Sequence, residues 1–177
     1  MNTMTRTPQE TIVTARLSLR PLQKSDFGLI EMHAGDARVA KMTTDIPHPL
    51  PPGATEALLK RAADPLRDED FWAMDATAHG GSEVMGLISL TRLDAAQSEI
   101  GYWVAPAFWN TGTASDAVAA LIDANPLGNK TVFAAVFQDN PASAKVLTNA
   151  GFDYIGDAET FSVARGVNVP TWTYLRK

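Results

Sequence analysis

The chain has 177 residues, 45% of them hydrophobic and 20% charged, with a net charge of −5 and no cysteine. That balance fits one globular domain with a sizeable core. It excludes disulfides, thiolate metal sites, a cysteine nucleophile and the basic footprint of bulk nucleic-acid binding.

No run of about 18 apolar residues occurs, so no membrane-spanning helix is expected. The opening M-N-T-M-T-R-T lacks the apolar core of a signal peptide, which makes the cytoplasm the default location. Residues 1–10 read as a flexible tail and residues 11–177 as a single domain.

Along the chain, residues 15–20 alternate apolar and polar as a half-buried first strand, ended by Pro21. Ser25 is expected to cap a helix from Asp26 to about Ala34, with Phe27, Ile30 and Ala34 on one face and Gly35 closing it. Residues 42–53 carry four prolines and cannot form a helix interior. So long an irregular stretch is either functional or a plain connector. Thr55 is expected to cap a second helix to about Ala63. Residues 71–76 and 84–91 read as strands around the turn signal His79-Gly80-Gly81-Ser82.

Residues 98–104, S-E-I-G-Y-W-V, have the β-branched and aromatic content of a strand. After Gly112 the period changes. Ala114, Ala117, Val118, Leu121 and Ile122 recur at three and four residues, the mark of one buried helical face. Residues 131–136 form a continuous apolar run, as in a strand covered on both faces. Asn140, Pro141 and Gly151 frame a short helix as N-cap, N1 and C′. Two closing strands follow, near residues 154–161 and 169–175, joined by a turn at 165–168. The expected order is β-α-α-β-β-β-α-β-α-β-β, a mixed sheet with helices against it.

Between the strand at 98–104 and its helix lies a short loop of Asn110, Thr111, Gly112 and Thr113. The unpaired amides of such a helix start, with the dipole behind them, suit a phosphate. The loop is neither G-x-x-x-x-G-K-[ST] nor G-x-G-x-x-G. A well-capped core helix is the alternative reading, because Thr113-x-x-Asp116 has the pattern of a capping box.

Two motifs carry a family resemblance. E-I-G-Y-W-V-A-P-x-x-W-x-x-G-x-A-S-D-A resembles the acetyl-CoA-binding core of the GNAT N-acetyltransferases, in particular the RimJ/RimL-like branch that contains the ribosomal-protein N-terminal acetyltransferases. D-N-P-A-S-A-K-V-L-x-x-A-G-F, at residues 139–152, is similar to a second motif of that family, and R-L-x-L-R-P-L-x-x-S-D resembles its usual opening. The resemblance spans about residues 15–175. It implies an α/β (α+β) fold whose mixed, mostly antiparallel sheet of six or seven strands is flanked by about four helices and splayed at its centre. It implies acetyl-CoA as co-substrate, no metal, an amine acceptor and, as is common in the family, a homodimer. By the same resemblance, Trp109, Asn110, Thr111, Gly112, Thr113, Ala114 and Ser115 form the loop around the CoA pyrophosphate. Asn140 holds the pantetheine arm, Ser143 lies near the sulfur, and amides around Trp103 and Val104 face pantetheine and the acetyl oxygen.

Acetyl transfer to an amine needs a neutral nucleophile, donors for the carbonyl oxygen and stabilisation of the departing thiolate. Glu99 is the candidate base, or else an exposed carboxylate at a strand start. Ser143 is the candidate hydrogen-bond donor or acid toward sulfur. No G-x-S-x-G elbow or Ser–His–Asp set is evident, so direct transfer is expected rather than an acyl-enzyme. Asn110 stands where many relatives have Gly, Thr111 where Lys or Gln is common, and Asn149 replaces a frequent Lys. Asn tolerates positive φ, so the loop is expected to keep its shape. His33, His48 and His79 lack metal-ligand spacing. The expected function is acetyl-CoA-dependent N-acetylation of a primary amine, on a peptide N-terminus or a small molecule. The alternatives are a CoA-binding sensor without transfer activity and an unrelated α/β domain.

Overall fold

Leu19, Trp72, Met74 and Ile88 are wholly buried at the centre of the molecule, and the strands that carry them set the architecture. The computed structural model describes residues 8–177. Eight strands are formed among these residues: β1 (Ile12–Val13), β2 (Ser18–Pro21), β3 (Glu69–Asp75), β4 (Gly86–Arg92), β5 (Gln97–Val104), β6 (Thr131–Phe137), β7 (Asp153–Ser162) and β8 (Val167–Arg176). They make one sheet in the order β1-β2-β3-β4-β5-β6-β8-β7. All neighbours are antiparallel except β5 and β6. Five α-helices accompany them: α1 (Phe27–Ala34), α2 (Ala37–Ala40), α3 (Ala54–Ala63), α4 (Thr113–Ala124) and α5 (Pro141–Asn149).

The sheet has one strand and one helix more than expected. β1 is a two-residue pairing with β2, too short to show a period. α2 is a single turn capped by Asp36, whose side chain accepts from the Arg38 amide. The sheet separates two apolar layers. One joins Leu17, Ile100 and Val104 to Val118 and Leu121 of α4 and Leu147 of α5. The other packs Ala73, Leu87 and Trp103 under Ile30 of α1 and Leu58 of α3.

The feature that positions a site is the short contact between β5 and β6. Their parallel register holds only at Gln97↔Thr131, Ser98↔Val132 and Glu99↔Phe133. β5 stays paired with β4 through Gly86↔Val104, and β6 with β8 through Phe137↔Thr171. From Ile100 onward β5 therefore parts from β6 and leaves a wedge in the middle of the sheet.

Several caps differ from expectation. Ser25 does not cap α1. A 3-10 turn at Lys24–Asp26 precedes that helix, and the Asp26 carboxylate accepts from the Gln23 amide at 2.7 Å. Thr55 does not cap α3 either. Gly53, with φ of 85°, is the N-cap, and Thr55 is buried in the first turn. Pro21 closes β2 from inside the strand. Of the expected tail, residues 1–7 lie outside the described residues. Gln9 donates to the Phe71 carbonyl, and the Glu10 carbonyl accepts from Trp72 Nε1.

Asp26 is fully buried and takes a two-pronged bond from Arg20, at 2.8 and 2.9 Å, while Arg20 Nε reaches Asp75 at 2.7 Å. Removing one partner of such a pair strands the other charge away from water. Asp26→Ala is expected to cost about 3–5 kcal/mol of stability, read as a lower urea midpoint at an unchanged m-value.

Candidate active site

Strand alternation divides β5 between the two faces of the sheet. Ser98, Ile100 and Val104 are buried, the last two in the layer under α4 and α5. Glu99, Gly101 and Trp103 face the other way. Register with β3 and β4 lines that face with three rows: Glu69, Thr91 and Glu99; Phe71, Ser89 and Gly101; Ala73, Leu87 and Trp103. All of these but the buried Ala73 floor a cavity of about 800 Å³ walled by α3 and by the proline-rich segment, from which Met42, Asp45 and Pro47 reach in.

Glu99 stands at the last β5–β6 rung, one residue before the wedge opens. It remains open to the cleft. Burial by the cavity walls pushes its pKa up, and the nearby carboxylates of Asp45 and Glu69 push the same way. No hydrogen bond or cation opposes them. Glu69 accepts from Ser89 Oγ at 2.7 Å, and Asp45 from Thr44 Oγ1 at 2.8 Å. Three carboxylates thus share a cavity whose lining includes one cation, Arg61.

Across the wedge, the first turn of α5 presents Asn140 and Ser143. Asn140 is the N-cap, as expected, with its Oδ1 accepting from the Ser143 amide at 3.4 Å. Its Nδ2 donates to Ser143 Oγ at 3.1 Å. Because that oxygen accepts, the Ser143 hydroxyl proton is free to point at another acceptor. Tyr102 donates to the Ser143 carbonyl at 3.1 Å and bridges β5 to α5. Its pKa is pushed up to about 12, chiefly by burial, so at neutral pH it is a fixed, uncharged donor. Sequence reasoning missed Tyr102. Alternation with Ile100 places it on the α5 side, but nothing local names its partner 41 residues away.

The loop before α4 is built on left-handed backbone. After a 3-10 turn at Pro106–Phe108, Asn110 has φ of 59° and Gly112 φ of 80°. Asn110 therefore holds the conformation that glycine would. Thr111 Oγ1 bonds to the Phe108 carbonyl and lies 2.8 Å from Thr113 Oγ1. Trp109 Nε1 donates to the Val104 carbonyl at 2.7 Å and ties the loop to the end of β5. The capping box of the alternative reading is absent. Gly112 is the N-cap with no side-chain cap, Thr113 opens the helix, and Asp116 pairs with Arg16 at 2.9 Å. The amides of Thr113, Ala114 and Ser115 thus start α4 without intrahelical partners, after a turn with left-handed residues at Asn110 and Gly112. This is the form of an anion cradle.

Trp103 turns its ring toward the cavity and meets His33 edge-on at 6.3 Å. Burial lowers the His33 pKa, partly offset by its bond with Val84 and by Asp36. Among the described residues no group of three or more His, Asp or Glu side chains comes together to hold a metal. Arg165 was expected only in a turn. Its Nη2 and Nε donate to the Lys41 carbonyl at 2.7 and 3.0 Å, and its guanidinium pairs with Asp139 and covers the Phe137 ring at 5.0 Å. One side chain thereby fixes the proline-rich wall to the D-N-P-A-S motif.

Comparison with known proteins gives the family and the fold. The Acetyltransferase (GNAT) domain model matches residues 16–153. An uncharacterized N-acetyltransferase p20 from Bacillus licheniformis is 27% identical over 168 residues, 89% of this chain and 90% of that one. Among solved structures, the ribosomal L7/L12 α-N-protein acetyltransferase RimL, in complex with coenzyme A, superimposes with a TM-score of 0.78. It is 18% identical, covering 94% of this chain and 97% of its own. Spermidine N-acetyltransferase from Vibrio cholerae, in complex with CoA and spermine, gives 0.75 at 18% identity, covering 92% and 96%. The chain belongs to the GNAT acetyltransferase family and is an N-acetyltransferase.

Proposed function

We propose that this enzyme acetylates a primary amine that carries a second positive charge, using acetyl-CoA, with Glu99 as base and Ser143 as donor to the departing sulfur. The observation that carries the reading is the wedge itself. It opens one residue after Glu99, has Ser143 on its far side, and is bridged by Tyr102 of β5.

When bound, acetyl-CoA supplies an activated acetyl thioester. The amides of Thr113, Ala114 and Ser115 would hold its pyrophosphate, and Asn140 would meet the pantetheine arm. Glu99 takes the proton from the amine as nitrogen bonds to the acetyl carbon. Backbone amides of β5 released from β6 are available to the developing charge on the carbonyl oxygen. Ser143 Oγ donates to sulfur as the carbon–sulfur bond breaks, and the proton held by Glu99 passes to water. The raised pKa of Glu99 suits this work, because a base nearer the operating pH both ionises and retains driving force to accept a proton.

The acidic row supports a cationic acceptor. Glu69 and Glu99 flank Thr91, so their backbones lie two strand spacings apart, about 9–10 Å. One can meet an ammonium while the other deprotonates the reacting amine. Thiol release from acetyl-CoA should be followed over monoamines, diamines, polyamines and short peptides. Turnover is expected with the dicationic acceptors, and Glu69→Gln should raise their KM about tenfold without a matching change for monoamines. Acetyl-CoA binding with no thiol release from any amine would make this a binding domain instead.

A further inference from the structure

Arg16 lies in the bend before β2, 95 residues from the loop it touches. Its Nη2 donates to the Thr111 carbonyl at 2.6 Å, and its Nη1 sits 2.9 Å from Asp116 Oδ2. The same Nη1 would lie 2.9 Å from a β-carbon placed on Gly112. The guanidinium therefore covers the outer side of the turn and spans from the residue before Gly112 to the first turn of α4. We propose that Arg16 is a positioning residue for the cofactor diphosphate, acting through the loop rather than as a catalytic group.

Two physical effects follow from the contacts. A Thr111 carbonyl bonded to Arg16 cannot swing toward an incoming anion, so the turn presents amides instead of oxygen. Asp116 places a negative charge in the first turn of the helix whose N-terminus receives the diphosphate, and Arg16 cancels that charge at contact distance. A bidentate cation performs both tasks with one planar group. The inference rests on the loop being the CoA diphosphate site, and the test separates the two.

Affinities of wild type, Arg16→Gln, Arg16→Lys and Arg16→Gln/Asp116→Asn should be measured for acetyl-CoA and for acetyl-pantetheine, which lacks the diphosphate. Melting temperatures confirm folding. Arg16→Gln is expected to weaken acetyl-CoA about tenfold or more, while acetyl-pantetheine changes less than twofold. Arg16→Lys keeps the charge without the fork and should fall between. The double variant should recover part of the loss, because the unpaired carboxylate has gone. Equal losses for both ligands, or a lower melting temperature with acetyl-CoA affinity intact, would mean that Arg16 merely ties β2 to α4. Wild type that binds acetyl-pantetheine no less tightly than acetyl-CoA would overturn the loop assignment itself.

Discussion

Glu99→Gln should lower kcat/KM about a hundredfold or more, within the usual range for loss of a general base, with acetyl-CoA affinity within about twofold of wild type. Glutamine fills the same space on the cavity floor and accepts no proton. The affinity stays because the loop before α4 and the first turn of α5 are untouched. In wild type the acidic limb of the pH–rate profile reports Glu99, set above an ordinary carboxylate by burial and by Asp45 and Glu69. The variant should lose that limb and rise with pH as the free amine increases, so its deficit narrows in alkali. Stability gives an independent reading. A carboxyl whose folded pKa is raised binds more protons folded than unfolded, so ionisation above that pKa works against folding. The melting temperature of Glu99→Gln at neutral pH should therefore equal or exceed that of wild type. A variant that keeps its rate within about threefold and retains the acidic limb would remove Glu99 from the mechanism.

The strand–loop–helix unit at residues 98–124 was legible because its hydrophobic period switches from two to three and four around Gly112. The α5 cap was legible because Asn-Pro admits few other structures. Errors gathered at other helix starts. Thr55 and Thr113 have N-cap chemistry, but Gly53 and Gly112 took the left-handed cap positions before α3 and α4 and moved the threonines inside the helices, while Ser25 fell within a 3-10 turn ahead of α1. Composition does not resolve a shift of one or two residues. The wedge entered through family resemblance, since no local pattern states how many rungs two strands share. Partners far apart in sequence were invisible for the same reason. Arg165 and the Lys41 carbonyl are 124 residues apart, and only the fold brings them together. The Glu69–Thr91–Glu99 row likewise needs the register of three strands before two carboxylates can be seen to share a face.

Gly112 should tolerate substitution least of all residues in the loop. At φ of 80°, any L-residue costs roughly 1–2 kcal/mol in the left-handed region. Its β-carbon would in addition displace Arg16 Nη1, 2.9 Å away at the tip of a flexible side chain. The loop escapes the strain by leaving the left-handed form, and the amides of Thr113, Ala114 and Ser115 then no longer converge. Gly112→Ala is expected to weaken acetyl-CoA about tenfold, a loss matching that strain, and Gly112→Trp should abolish binding measurable by calorimetry. Asn110→Gly is the informative contrast. Asn110 already sits at φ of 59°, where glycine is at ease, so affinity should stay within about threefold. Both substitutions fall in one short loop, so a general loosening of the loop would weaken them alike. Loss at Gly112 with retention at Asn110 ties cofactor binding to the backbone form of this turn. Normal binding by a folded Gly112→Trp would place the pyrophosphate elsewhere.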